Sequence, residues 1–163
     1  MRLIHLSFLV LLVDQLTKRL IIHYFGLNDS TAIIPGWLYF TYVQNSGAAF
    51  GSFADIRSLF RIPFFIAITA GAGLVVYSLQ RFIPPERKIP RTALGLIWGG
   101  AMGNFVDRIL YGKVIDFIDA GHVPFPFGFR FTYVFNFADS CITVGITMLL
   151  VFFLFFDRKQ SVS

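Results

Sequence analysis

The chain is poor in charge and almost without cysteine. Only 14% of its 163 residues are Asp, Glu, Lys or Arg, against about a quarter in soluble domains, while 56% are hydrophobic. That scarcity excludes an ordinary soluble domain and points to a polytopic membrane protein. Cysteine occurs once, at Cys141. A single thiol excludes an internal disulfide and a CxxC redox centre, and reads as a small packing residue in a helix. His5, His23 and His122 are isolated and lack the partners a metal needs. Neither a cofactor motif nor an internal repeat is present. The formal charge of +5 does not form a patch suited to nucleic acid, because the basic residues are scattered at the ends of apolar runs.

What is abundant is long apolar sequence, 21 Phe among it, with a mean hydropathy of +0.69. A spanning helix needs about 20 residues. Four stretches qualify, about 3–25, 62–80, 92–109 and 138–156, within a single membrane domain, 1–163. The first resembles a signal peptide, but no small-x-small cleavage site follows, so it is expected to stay as a span. Pro63 is placed in the opening turn of the second. Arg2, the Arg81–Arg91 hinge and Arg158-Lys159 fall on one side, which the excess of positive charge marks as cytoplasmic. Both termini then lie inside, and segments 26–61 and 110–137 face outward.

The outward segments are not linker-like. Residues 36–45 are rich in aromatic and β-branched side chains, as strands are. From Phe125 to Phe137 every odd position is aromatic, the period of an extended segment with one aromatic face. A small sheet lying in the membrane interface is therefore expected, giving an all-α polytopic membrane protein with a small outward-facing β-platform.

Against this apolar background the polar residues stand out. Asp139, in Phe135-Asn136-Phe137-Ala138-Asp139-Ser140, opens the last apolar run, and Asp116, in Val114-Ile115-Asp116-Phe117, follows the third. A carboxylate in such a place costs several kcal/mol unless paired, protonated or wetted. Two acids at one membrane face form the constellation of an aspartic protease. Asp14 and Lys18 lie one helical turn apart, with Asp14 roughly 17 Å into a core of about 30 Å. They read as a structural ion pair tying the first helix to the bundle. Asn104, Asp107 and Arg108 cluster near the outer end of the third span, in a supporting role. Gly95, Gly99 and Gly103 form a stripe for close helix packing. Gly99, Gly103 and the loop Asn45–Phe50 are also expected to bracket a substrate groove.

Asp14-Gln15-Leu16-Thr17-Lys18, Asn45-Ser46-Gly47-Ala48-Ala49-Phe50, Gly99-Gly100-Ala101-Met102-Gly103-Asn104-Phe105-Val106-Asp107-Arg108, Val114-Ile115-Asp116-Phe117 and Phe135-Asn136-Phe137-Ala138-Asp139-Ser140 occur in this order. The set resembles the lipoprotein signal peptidase family (signal peptidase II) over nearly the whole chain. The resemblance implies a monomeric endopeptidase of the bacterial inner membrane with its site at the outer face. Its substrates are diacylglyceryl-modified prolipoproteins, cut just before the lipidated cysteine; its other partners are membrane lipids, and it needs no cofactor or metal. It implies Asp116 and Asp139 as the catalytic pair, and Asn45, Gly47, Asn104, Arg108, Asn136 and Ala138 as residues lining or supporting the site, with Asp14 and Lys18 more remote. Asp139, in the first turn of a helix, is the member expected to be ionised, leaving the shared proton on Asp116. The alternatives are a small ion-coupled transporter using Asp14 and Lys18, and a non-catalytic assembly factor using the aromatic platform.

Overall fold

Helix α1, Arg2–Tyr24, shows why these apolar segments need each other. Its buried residues, Ser7, Val10, Asp14, Lys18 and Ile21, recur every three or four positions. The exposed large apolar ones are Ile4, Phe8, Leu9, Leu12, Leu16, Leu20 and Tyr24. Between Ser7 and Lys18 the charged groups Asp14 and Lys18 thus point inward and the large apolar side chains Phe8, Leu9, Leu12 and Leu16 outward, the reverse of a helix on a water-soluble core. The computed structural model describes residues 2–46, 58–121 and 133–156. The remaining elements are β1 (Ser30–Ile34), β2 (Leu38–Asn45), α2 (Ser58–Phe82), α3 (Lys88–Tyr111), β3 (Val114–Asp119), β4 (Val134–Phe135) and α4 (Phe137–Val151), which runs on as a π-helical turn, Phe152–Phe156. Among the described residues, two helical stretches, Pro63–Phe82 and Phe137–Phe156, are long and apolar enough to cross a membrane; α1 and α3 carry more charge.

Helix α3 is the hub, packing against α1, α2 and α4. Its glycines permit this from two sides. A Cβ on Gly99 would lie 2.6 Å from the Ser7 carbonyl oxygen of α1, and one on Gly103 would collide with the Asp14 carboxylate. A Cβ on Gly100 would lie 2.5 Å from the Ala138 carbonyl oxygen of α4. Gly99 and Gly103 are therefore closed against α1 and do not line a groove, contrary to the expectation for this stripe; the close backbone approach leaves no room for a peptide. Pro63 also differs from expectation. Because α2 starts at Ser58, the proline lies inside the helix rather than in its opening turn.

The sheet is antiparallel with order β1-β2-β3-β4. Pro35-Gly36 makes the β1–β2 turn: Gly36 has φ 79°, and the Trp37 N–H donates to the Ile34 oxygen at 2.9 Å. Composition predicts a strand over 36–45, and β1 and β3 belong to the sheet as well. In the aromatic alternation, Phe125 to Phe131 lie outside the described residues. Of the rest, Val134–Phe135 forms a two-residue strand and Phe137 already opens α4. Ile21 of α1, Tyr42 of β2, and Ile115 and Phe117 of β3 form the cluster that joins sheet to helices.

Candidate active site

Asp116 sits in the middle of β3, paired with Val43 of β2. That register places Asn45, two residues further along β2, diagonally opposite on the same face. Asn45 Nδ2 donates to Asp116 Oδ2 at 2.9 Å, and Asn136 Nδ2 donates to Asp116 Oδ1 at 2.7 Å. Asp116 thus has two amide partners, although its flanking sequence suggested none. Burial pushes its pKa from the usual 3.8 up to about 6. The charge on Asp139 acts in the same direction, while the Asn45 and Asn136 amides and the Lys18 charge pull the other way.

Asp139 reaches the same place from α4. Asn136 is the N-cap: its Oδ1 accepts from the Asp139 N–H at 2.9 Å, and the Asp139 Oδ2 accepts from the Asn136 N–H at 3.3 Å. This reciprocal capping box fixes the Asp139 side chain against the helix N-terminus, where orphan N–H groups favour negative charge. Asp139 Oδ1 also accepts from Asn104 Nδ2 at 2.7 Å. Asn136 therefore touches both carboxyl groups. Together with Asn45, Tyr133, Phe135, Thr143 and Val144, the two aspartates line a cavity of about 520 Å³. Asp116 is 2% exposed and Asp139 half-buried, so the pair faces this cavity from a dry side and a wetter one.

Behind the pair lies a buried polar cluster. Lys18 Nζ is 2.8 Å from Asp14 Oδ2, 2.9 Å from Asp107 Oδ2 and 2.9 Å from Asn104 Oδ1. Asp14 Oδ1 accepts from the Ala138 N–H at 2.9 Å, and Asp107 Oδ2 from the Ile115 N–H at 3.0 Å. Gln15 Nε2 donates to Asp107 Oδ1 at 2.9 Å and to the Gly103 oxygen at 3.1 Å. Asp14 and Lys18 thus hold α1 to α3 and α4, as a structural ion pair should. Lys18 stands one side chain behind the pair, because Asn104 connects it to Asp139. Ala138 is at 0% exposure, its N–H on Asp14 and its carbonyl oxygen against Gly100.

Arg108 is placed differently from its neighbours. Its Nη1 donates to the Asn104 carbonyl oxygen at 3.3 Å, and its guanidinium lies 4.1 Å from the Phe65 ring centroid on α2. It acts on Asp139, Asp107 and Asp116 as a nearby charge rather than as their ion-pair partner. Gly47 lies outside the described residues. Sequence reading missed Gln15, Asp107 as the second anion on Lys18, and the Thr143 and Val144 wall; only the spacing of Asp107 from Asn104, one turn along α3, hinted at its inward direction. Cys141 is buried in α4 and free, as a packing residue would be.

A family model described as Signal peptidase (SPase) II matches residues 6–155. The lipoprotein signal peptidase of Desulfitobacterium hafniense is 41% identical over 148 residues, covering 91% of this chain and 89% of that protein. That of Syntrophotalea carbinolica is 39% identical over 143 residues, 88% of this chain and 84% of its own length. Two solved structures, described as a bacterial membrane enzyme at 1.9 Å and 2.3 Å, superpose with TM-scores of 0.76 and 0.78. They are 33% and 30% identical, covering 96% and 99% of this chain and 94% and 93% of theirs. Sequence and fold agree over nearly the full length, and the chain belongs to the signal peptidase II family.

Proposed function

We propose that Asp116 and Asp139 are the catalytic pair with which this peptidase removes signal peptides from diacylglyceryl-modified prolipoproteins, cutting before the lipidated cysteine. The observation that carries the reading is Asn136, which binds both carboxyl groups at the wall of one cavity. Two carboxyl groups in a desolvated site do not both ionise cheaply, so the pair holds one proton between them. The Asp139 oxygens accept an amide and a helix N-terminal N–H, which suits the anion; the upward-shifted Asp116 suits the acid. Each Asp116 oxygen has a second lone pair, so the proton need not displace the asparagine amides.

The chemistry follows from that division. Asp139 takes a proton from water, the water oxygen attacks the scissile carbonyl carbon, and Asp116 gives its proton to the carbonyl oxygen. In the second half Asp139 returns its proton to the departing amine, the C–N bond breaks, and a hydroxyl of the tetrahedral diol returns a proton to Asp116 as the carboxyl product forms. Each proton transfer is worth about a hundredfold to ten-thousandfold in rate.

The same reading places all four helices across the inner membrane with both termini cytoplasmic. The inward polar face of α1, the apolar exposed faces of α2 and α4, and the basic hinge between α2 and α3, at the opposite end of α3 from Asn104, support it. The sheet and the pair then lie at the outer face, where a diacyl chain stays in lipid while its scissile bond meets water. The transporter alternative gives way to the family membership and to the enclosure of Lys18, which has three bonded partners and 1% exposure. The test is the purified protein in lipid with a diacylglyceryl-modified prolipoprotein, scored for signal-peptide release. Asp116→Asn and Asp139→Asn are expected to fold and to lose release; turnover near that of the parent in either variant refutes the pair.

A further inference from the structure

We propose that Lys18 is a positioning residue that sets the direction of the hydrogen-bond chain feeding Asp139, beyond its part in joining the helices. This rests on Asp139 being the base of the pair.

The direction of the chain follows from its donors. An ammonium has three donors and no acceptor, whereas an asparagine side chain offers an acceptor at one end and donors at the other. The end of Asn104 that meets Lys18 at 2.9 Å must therefore be its oxygen. Once that end is fixed, the NH2 end points to Asp139 Oδ1 at 2.7 Å. The second contact on the Asn104 oxygen, from Asn136 Nδ2 at 3.1 Å, agrees in sign. Asn136 Nδ2 also donates to Asp116 Oδ1 at 2.7 Å, so both carboxyl groups receive amide donors, and the Asp139 branch is the one directed from the lysine.

Without the ammonium, the Asn104 oxygen keeps only the longer contact from Asn136 Nδ2 at 3.1 Å, and the amide turns more readily. Reversed, it would set its oxygen against Asp139 Oδ1, and two facing acceptors require a proton between them. Asp139 would then hold the proton that it must be free to take from water. Lys18 thus acts through Asn104 and touches neither the substrate nor the water. Asp14 and Asp107 in turn hold the ammonium in place, at 2.8 and 2.9 Å. Among the described residues, the charged groups around Asp139 are Asp14 and Lys18 of α1, Asp107 and Arg108 of α3, and Asp116 of β3.

The single change Lys18→Met strands two buried carboxylates and tests mainly folding. The informative variant is Lys18→Met combined with Asp14→Asn. It removes one positive and one negative charge, so the net charge behind the pair is unchanged. Asp107 keeps the Ile115 N–H and the Gln15 amide, and the amide oxygen introduced by Asp14→Asn can still accept from the Ala138 N–H. Loss of one oriented, charge-assisted donor predicts that kcat/KM near pH 6 falls roughly tenfold to a hundredfold in the folded double variant. The acidic limb of its pH–rate profile moves to higher pH by about one unit or more, since a shift of one unit corresponds to a tenfold change in the proton equilibrium. A purely structural lysine predicts instead that the folded double variant recovers both the rate and the profile of the parent, and that result overturns the proposal. Asn104→Asp is the second variant: it keeps an acceptor for Lys18 but removes the N–H offered to Asp139, and the same upward movement of the acidic limb is expected. An unchanged profile there is equally fatal. Asp139→Asn in the same assay reports on the base reading separately, since activity surviving in that variant refutes the base and not the orientation.

Discussion

If burial is what raises the Asp116 pKa, replacing this residue by its neutral isostere changes stability in a pH-dependent way. The shift from 3.8 to about 6 spans about two units. At about 1.4 kcal/mol per unit this amounts to roughly 3 kcal/mol. Its sign follows from the direction. A group whose pKa is higher in the folded state stabilises the fold fully below its unfolded value of 3.8, and that contribution disappears as pH rises through about 6. The parent should therefore lose up to about 3 kcal/mol between pH 4 and pH 7.5 from this group, a loss that Asp116→Asn lacks. The quantity to follow is the stability of the variant minus that of the parent, so a constant offset from altered hydrogen bonding cancels. For a chain of this length the difference in thermal midpoint should widen by about 6–12 °C across that window. Thermal unfolding of both proteins in one detergent, at several pH values, measures it. A gap that stays constant with pH would show that Asp116 is not desolvated in the way its 2% exposure implies.

Further expectations attach to the same network. In Asp139→Asn the Asp116 step should move to lower pH, because a neighbouring anion is gone, yet remain above 3.8, because burial is the larger cause; the same pH scan reads it. Asn136→Ala removes the cap of α4 together with the amide on Asp116, so about 1–2 kcal/mol of stability and most of the activity should be lost together. Lys18→Met alone leaves Asp14 and Asp107 unpaired at 0% and 1% exposure, and a loss of about 3–5 kcal/mol is expected by chemical unfolding in detergent. Gly99→Ala would push a Cβ to 2.6 Å from a backbone oxygen of α1, costing about 1–3 kcal/mol through separation of α1 from α3.

Much of this architecture is legible in the chain, for identifiable reasons. Apolar runs of about 20 residues announce helices because nothing else hides so much backbone in lipid, and α1, α2, α3 and α4 cover those runs. Asp139 is legible because it opens such a run. Asp116 is harder: a six-residue strand buried on both faces, Val-Ile-Asp-Phe-Ile-Asp, looks like the frayed end of the preceding helix. Gly112, with φ 67° and its N–H on the Arg108 oxygen, separates the two. The partnership of Asn45 with Asp116 depends on β2–β3 register, which includes an irregularity between Phe40 and Val43, and no local pattern encodes it. The convergence of Lys18, Asp107 and Asn104 is likewise a matter of which faces of α1 and α3 meet. The glycine stripe indicates a close contact but not its partner, so in sequence it suits a groove wall as well as a helix seam, and only α1 lying against it decides for the seam.

Asp116 and Asp139 should work as one unit on one water molecule, and a double-mutant cycle on signal-peptide release tests this most directly. Residues that share a single step are not additive, so Asp116→Asn, Asp139→Asn and the combined variant should fall to the same residual rate, at least about a thousandfold below the parent. Two losses that multiply in the combined variant, or a single variant that still turns over at the rate of the parent, would contradict it.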